Sequence, residues 1–149
     1  MSPGEIDSKV VAQRVFWISQ IMDSLKDLHL EEKAAFLADR HKIAAAESYL
    51  RRALEALFDI GRHILAKKFA YPATEYKEIA KGLSENKVLA EKEMELMREM
   101  AGYRNRMVHF YHEITPEELH EICLYHLNEI KLLADKLVQW AKEHGDSTP

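Results

Sequence analysis

Residues 43–64 read IAAAESYLRRALEALFDIGRHI. Within this run Ile43, Leu50, Leu54, Leu57, Gly61 and Ile64 recur at helical spacing, which draws one apolar stripe down a helix. Good helix formers fill the positions between them, and the run contains no proline. The pattern predicts a helix from about Glu31 to Lys67. That is long for one uninterrupted helix, so a kink or break is expected near Asp39. Gly61 sits inside the stripe. A mid-helix glycine costs about 1 kcal/mol against alanine, so its presence points to close approach of another backbone.

The flanking sequence continues in the same style. Val11, Val15, Ile18, Met22 and Leu25 step by fours and threes and predict a first helix over about Ile6–Leu28. Tyr71-Pro72-Ala73-Thr74 breaks the chain, because proline disfavours helix in the residue before it. A short helix is expected over about Glu75–Lys81, followed by a turn at Gly82-Leu83-Ser84. A fourth helix should run from about Lys87 to near His109, with Ala90, Met94, Met97, Ala101 and Val108 on its stripe. Thr115-Pro116-Glu117-Glu118 is a helix start: Thr115 caps, Pro116 suits the first helical position and Glu118 completes a capping box. The fifth helix then carries Leu119, Ile122, Ile130, Leu133, Leu137 and Trp140 inward, and a short polar tail follows from about Gly145. No alternating strand pattern and no solenoid repeat interrupts the series. The expectation is an all-α bundle of four to five helices in one domain over 1–149.

Composition narrows the function classes. With 149 residues, 47% hydrophobic and 31% charged, the chain has the balance of a soluble globular domain with one core. A single cysteine, Cys123, forbids an intrachain disulfide and reads as a small buried hydrophobe. No His/Cys set has zinc-like spacing, and no metal or cofactor is implied. The opening Met1-Ser2-Pro3-Gly4-Glu5 lacks the basic start and apolar run of a signal peptide. No apolar run approaches the ~20 residues that span a bilayer. Cytoplasmic location without membrane association is therefore expected. A net charge of −4 argues against a general nucleic-acid coat protein, yet leaves room for a local basic cleft.

One segment carries chemistry: residues 102–111, GYRNRMVHFY. If the Met94–Met97–Ala101 stripe continues, Arg104 is its next position, and a charge on a core-facing stripe must be paired or face a cleft. Asn105 and His109 are four apart and share a helix face, with Arg104 on the adjacent flank. Such a set suits metal-free phosphodiester chemistry. A histidine can take a proton from an RNA 2′-hydroxyl or give one to the leaving oxygen. A guanidinium can hold the phosphate and stabilise its growing charge. Two histidines brought together across a symmetric dimer would supply both proton roles. On spacing alone, the simpler reading of the pair is a solvated or charge-complementing helix end.

Arg104, four residues, His109, one residue, Tyr111, with polar Asn105 directly after the arginine, resembles the motif of HepT-type toxins in the HEPN superfamily. The likeness extends to RRALEALFDIGRH at Arg51–His63, to Tyr71-Pro72 with Tyr76, and to MAGYRNRMVHFYHEI at Met100–Ile114. The resemblance implies an up-and-down helical bundle that forms a homodimer with the active site in the dimer cleft. It implies metal-independent RNA cleavage by Arg104 and His109, with Asn105 in support. It also implies a partner, a minimal nucleotidyltransferase antitoxin of the MntA type, which transfers AMP groups to Tyr111. By itself Tyr111 reads equally as a tyrosine packed at a helix end.

Asp59, Arg62, His63 and Arg106 are candidates to line the cleft. The simpler reading of Asp59, Arg62 and His63 is a solvated face with an i, i+3 ion pair. Glu47, on the Ile43–Leu50 stripe, is a candidate partner for a buried arginine. Two other classes of function stay open: a non-catalytic helical module that binds a nucleotidyltransferase or a nucleotide, and a purely structural bundle.

Overall fold

The computed structural model describes residues 4–109 and 114–145, with His109 described in its backbone alone. Among these residues the chain forms seven helices: α1 (Ser8–Lys26), α2 (Lys33–Ala38), α3 (Arg40–Phe69), α4 (Tyr76–Glu85), α5 (Glu91–His109), α6 (Pro116–Tyr125) and α7 (Leu127–His144). None is long and apolar enough to cross a membrane.

The architecture is organised around α3, which packs against each of the other six helices. Its sequence explains why. Beyond the single stripe, Ala46, Ala53, Ala56, Phe58, Ile60 and Leu65 are also buried, so the helix is apolar on most of its circumference and must be surrounded. Side chains of α4 and α5 press against α3 at Gly61. A Cβ there would stand 3.0 Å from side-chain atoms of Ile79 and Leu83 and 3.4 Å from Met97. The close approach at this mid-helix glycine is made by side chains of two neighbouring helices and not by a backbone, which corrects the expectation.

The long second helix is broken at Asp39, as its length suggested. Asp39 is extended (φ −112°, ψ 100°), and its carboxylate accepts from the backbone N–H groups of His41 (2.9 Å) and Lys42 (3.2 Å). These are first-turn donors that no helical carbonyl can reach. The same bonds hold the Asp39 carboxyl below its usual range. α3 ends at Ala70, which adopts the left-handed conformation (φ 49°) usually left to glycine.

Three further expectations need correction. Gly82-Leu83-Ser84 is not a turn but lies within α4, which runs on to Glu85. Gly82 is there because the Tyr71 ring lies against it; a Cβ would meet ring carbons at 2.9 and 3.0 Å. α5 begins at Glu91 rather than near Lys87. Lys87 has φ 61°, and Val88 and Leu89 are buried in the connection. Ala90, placed on the α5 stripe, is exposed; its N–H donates to Glu93 Oε1 (2.8 Å) and so opens the helix. The predicted fifth helix is two helices, divided at His126 (φ −111°, ψ −1°).

The Thr115 cap forms as expected, its hydroxyl accepting from the Glu118 N–H at 3.1 Å with Pro116 at the first helical position. The Glu118 carboxylate, however, faces Arg106. His120 is buried and donates from Nε2 to Leu30 O (2.6 Å), with its ring beside Phe36, which ties α6 to the α1–α2 connection. Cys123 is buried, and burial pushes its thiol up to about 12.

Candidate active site at the end of α5

The first half of α5 is anchored by Met97, Met100 and Ala101, each fully buried. That anchoring carries the stripe forward to Arg104, at the edge of the core. The Arg104 side chain keeps 19% of its exposure. Its guanidinium carbon lies 4.3 Å from the Tyr76 ring centroid, and Nη2 donates to Glu55 Oε2 at 3.2 Å. Glu55 Oε1 accepts in turn from Arg51 Nη1 at 3.1 Å. Tyr76 opens α4 and is stacked on Phe58 of α3 with centroids 4.6 Å apart. Burial, more than any neighbouring charge, raises the Tyr76 hydroxyl above its usual value. The arginine is therefore held by an aromatic face and a carboxylate, while its Nε is buried without a hydrogen-bond partner among the described residues.

A carboxylate on α3 does meet the stripe arginine, but it is Glu55. Glu47, two turns earlier, is exposed.

Beside Arg104 lies a cavity of about 560 Å³ lined by Arg62, Thr74, Glu75, Tyr76, Lys77, Arg104 and Asn105. One of the cleft candidates, Arg62, shares this cavity with Arg104 and with Asn105, the residue expected to support the catalytic pair. The Arg62 guanidinium carbon is 5.7 Å from the same Tyr76 ring centroid. The other candidates face elsewhere. Asp59 accepts from Arg14 Nε (3.2 Å) and from Arg62 (3.4 Å). His63 Nε2 accepts from the Asp7 backbone N–H at 2.9 Å, so its proton sits on Nδ1. Desolvation, helped by Lys67, lowers the His63 pKa from its usual 6.5. Arg106 forks onto Glu118 with contacts of 2.9 and 2.7 Å, which ties α5 to α6 across the connection between them.

His109 is the last residue of α5, one turn beyond Asn105. Its side chain and Tyr111 lie outside the described residues. Among the described residues, no three His, Cys, Asp or Glu side chains are grouped to hold a metal ion.

Sequence reasoning missed Glu55 and Lys77. Tyr76 entered only as part of a resemblance, and no local signal assigns it to the arginine. Glu55 carries one local signal, its i, i+4 relation to Arg51; its contact with Arg104 spans 49 residues.

In chemical terms the site presents a preorganised guanidinium beside an amide and a cavity with two further cations. That arrangement can accept an oxyanion such as a phosphate.

The fold is similar to that of chains in solved toxin–antitoxin structures. One was crystallised with AMP-PNP (18% identity, 86% of this chain and 97% of that chain covered, TM-score 0.78). A second is a tri-AMPylated HEPN toxin from Shewanella oneidensis in complex with MNT antitoxin (19% identity, 85% and 95% covered, TM-score 0.77). A third is a mutant MntA–HpeT complex (19% identity, 86% and 96% covered, TM-score 0.75). No curated protein matches the sequence. The family model described as "Ribonuclease HepT-like" matches residues 18–137, well over half of the chain and with the whole α5 segment inside it, and the protein belongs to this HepT-like family.

Proposed function

We propose that this protein is a metal-independent endoribonuclease, the toxin of a HEPN/nucleotidyltransferase toxin–antitoxin pair. The observation that carries the reading is Arg104, ordered by Tyr76 and Glu55 and opening onto a cavity one helical turn from His109. Arg104 binds the scissile phosphate and stabilises the charge that grows on it. His109 takes the proton from the attacking 2′-hydroxyl as the phosphorus–O2′ bond forms. The bond to the 5′ oxygen breaks, and that oxygen takes a proton from the second His109 of a homodimer. Asn105 orients the phosphate. The proposed partner is an MntA-like nucleotidyltransferase that transfers AMP to Tyr111. The adduct places negative charge and bulk where the RNA phosphate must sit.

The test is RNA cleavage by purified protein in EDTA, wild type against His109→Ala. Wild type should cleave, and the folded variant should be slower by about 10²–10⁴-fold, the usual worth of a general acid–base group. Absence of cleavage by wild type on any RNA overturns the reading.

One observation favours a second reading. Arg104 is ion-paired with Glu55, the arrangement expected if the arginine were a strut in a non-catalytic module that binds a nucleotidyltransferase or nucleotide. In that case Arg104 would matter to stability and not to RNA.

A further inference from the structure

Glu55 and Asp59 stand one turn apart on α3, and each carboxylate is shared by two guanidinium groups. Arg51 and Arg104 meet Glu55 at 3.1 and 3.2 Å. Arg14 and Arg62 meet Asp59 at 3.2 and 3.4 Å. Four cations on two anions leave an excess of positive charge on one face of a chain whose net charge is −4. A carboxylate divided between two arginines orients both without neutralising them. Lys77 adds a further cation to the cavity, and Glu75 a single anion.

Within this face Arg62 has a distinct position. It lines the same cavity as Arg104, and both guanidinium carbons lie over the Tyr76 ring, at 5.7 and 4.3 Å from its centroid. The two groups are therefore no farther apart than the sum of those distances, close enough to serve neighbouring anions on one strand. Arg62 meets Asp59 through a single nitrogen, and that contact is the longer of the two Asp59 makes. A guanidinium has five N–H donors, and the Arg62 side chain is 40% exposed. Most of its donors remain available to a ligand.

We infer that Arg62 is a second phosphate-binding residue of this site, gripping the RNA backbone phosphate next to the one held by Arg104. The inference rests on the ribonuclease reading and extends it from one phosphate to a two-phosphate footprint. Asp59 and the Tyr76 ring position Arg62 as Glu55 and the same ring position Arg104. The chemistry selects a polyanionic strand over a lone phosphate, because two separately held guanidiniums engage two phosphates at once.

The experiment uses a 2′-O-methyl RNA oligonucleotide, which lacks the nucleophile and cannot be cleaved. Its binding to wild type, Arg62→Ala and Arg62→Lys is followed by fluorescence anisotropy between 50 and 200 mM salt. Arg62→Ala should bind about tenfold more weakly, with the log–log salt slope shallower by about 0.7, the share of one single-strand phosphate contact. Arg62→Lys should keep the wild-type slope and recover part of the affinity, since lysine supplies charge without the fork. The lysine variant also keeps the test decisive if the alanine variant folds poorly. Wild-type affinity and slope in Arg62→Ala would overturn the inference and leave the ribonuclease reading standing. An oligonucleotide that wild type does not bind at all would overturn both.

Discussion

The two halves of α5 are built on opposite principles. From Met94 to Ala101 the helix is held by apolar burial, with Met97, Met100 and Ala101 inaccessible to solvent. From Gly102 to Val108 every residue is only partly buried. The two charged side chains there are fixed to other helices by ion pairs, Arg104 to α3 and Arg106 to α6. The first half sets where the helix lies; the second sets where its cations point. Stability and function should therefore respond to different substitutions along a single helix.

Met97→Ala should show the largest effect on the apolar half. A fully buried methionine cut back to alanine costs about 2–5 kcal/mol, read as a lower melting temperature or denaturant midpoint. RNA cleavage per folded molecule should be unchanged. Loss of cleavage in a fully folded Met97→Ala protein would erase the contrast between the halves.

Glu55→Ala is the mirror experiment. It removes two partly exposed ion pairs, to Arg51 and to Arg104, each worth about 1 kcal/mol or less, so the melting temperature should fall much less than in Met97→Ala. Cleavage should fall roughly ten- to a hundredfold, since an ångström of misplacement at a reacting centre can cost that much. Glu55→Gln, which keeps an acceptor for the arginine, should recover part of the rate. A variant that cleaves like wild type would show that Arg104 does not depend on Glu55 for its position.

Away from α5, two smaller effects sharpen the account. Ala70→Gly should raise stability by up to about 1 kcal/mol, because the left-handed conformation costs an L-residue with a Cβ about that much. The pH effect at His63 should be smaller still. Its pKa is depressed by folding, so the unfolded chain binds the proton more readily. The stabilising contribution is present above the usual 6.5 and is lost as pH falls through the lower folded value. Protonation also removes the lone pair that accepts from the Asp7 N–H. His63→Ala should flatten the fall in melting temperature below about pH 6.5; an unchanged slope would assign that fall to other groups.

What the sequence revealed was mostly local. The break at Asp39, the cap at Thr115 and the stripe through Leu50, Leu54 and Leu57 each depend on residues within a turn or two, and each is found in the structure. Gly82 was misread because a Gly-Leu-Ser run looks like a turn locally, whereas the deciding contact comes from Tyr71, eleven positions earlier in the chain. The division at His126 carries neither proline nor glycine to announce it. At the site, Arg104 was visible as a charge on an apolar stripe. The groups that hold it were not: Glu55 on α3 and Tyr76 on α4 are brought to it by the packing of those helices against α5.

The most direct test of the central claim is to measure RNA cleavage and thermal melting together on Arg104→Ala. The substitution leaves no orphaned carboxylate, because Glu55 retains Arg51, so melting should stay near wild type. Cleavage should fall about 10²–10³-fold, as when one oxyanion-stabilising group is removed. A protein that melts far earlier yet cleaves RNA at the wild-type rate when folded would contradict the account and make Arg104 a structural strut.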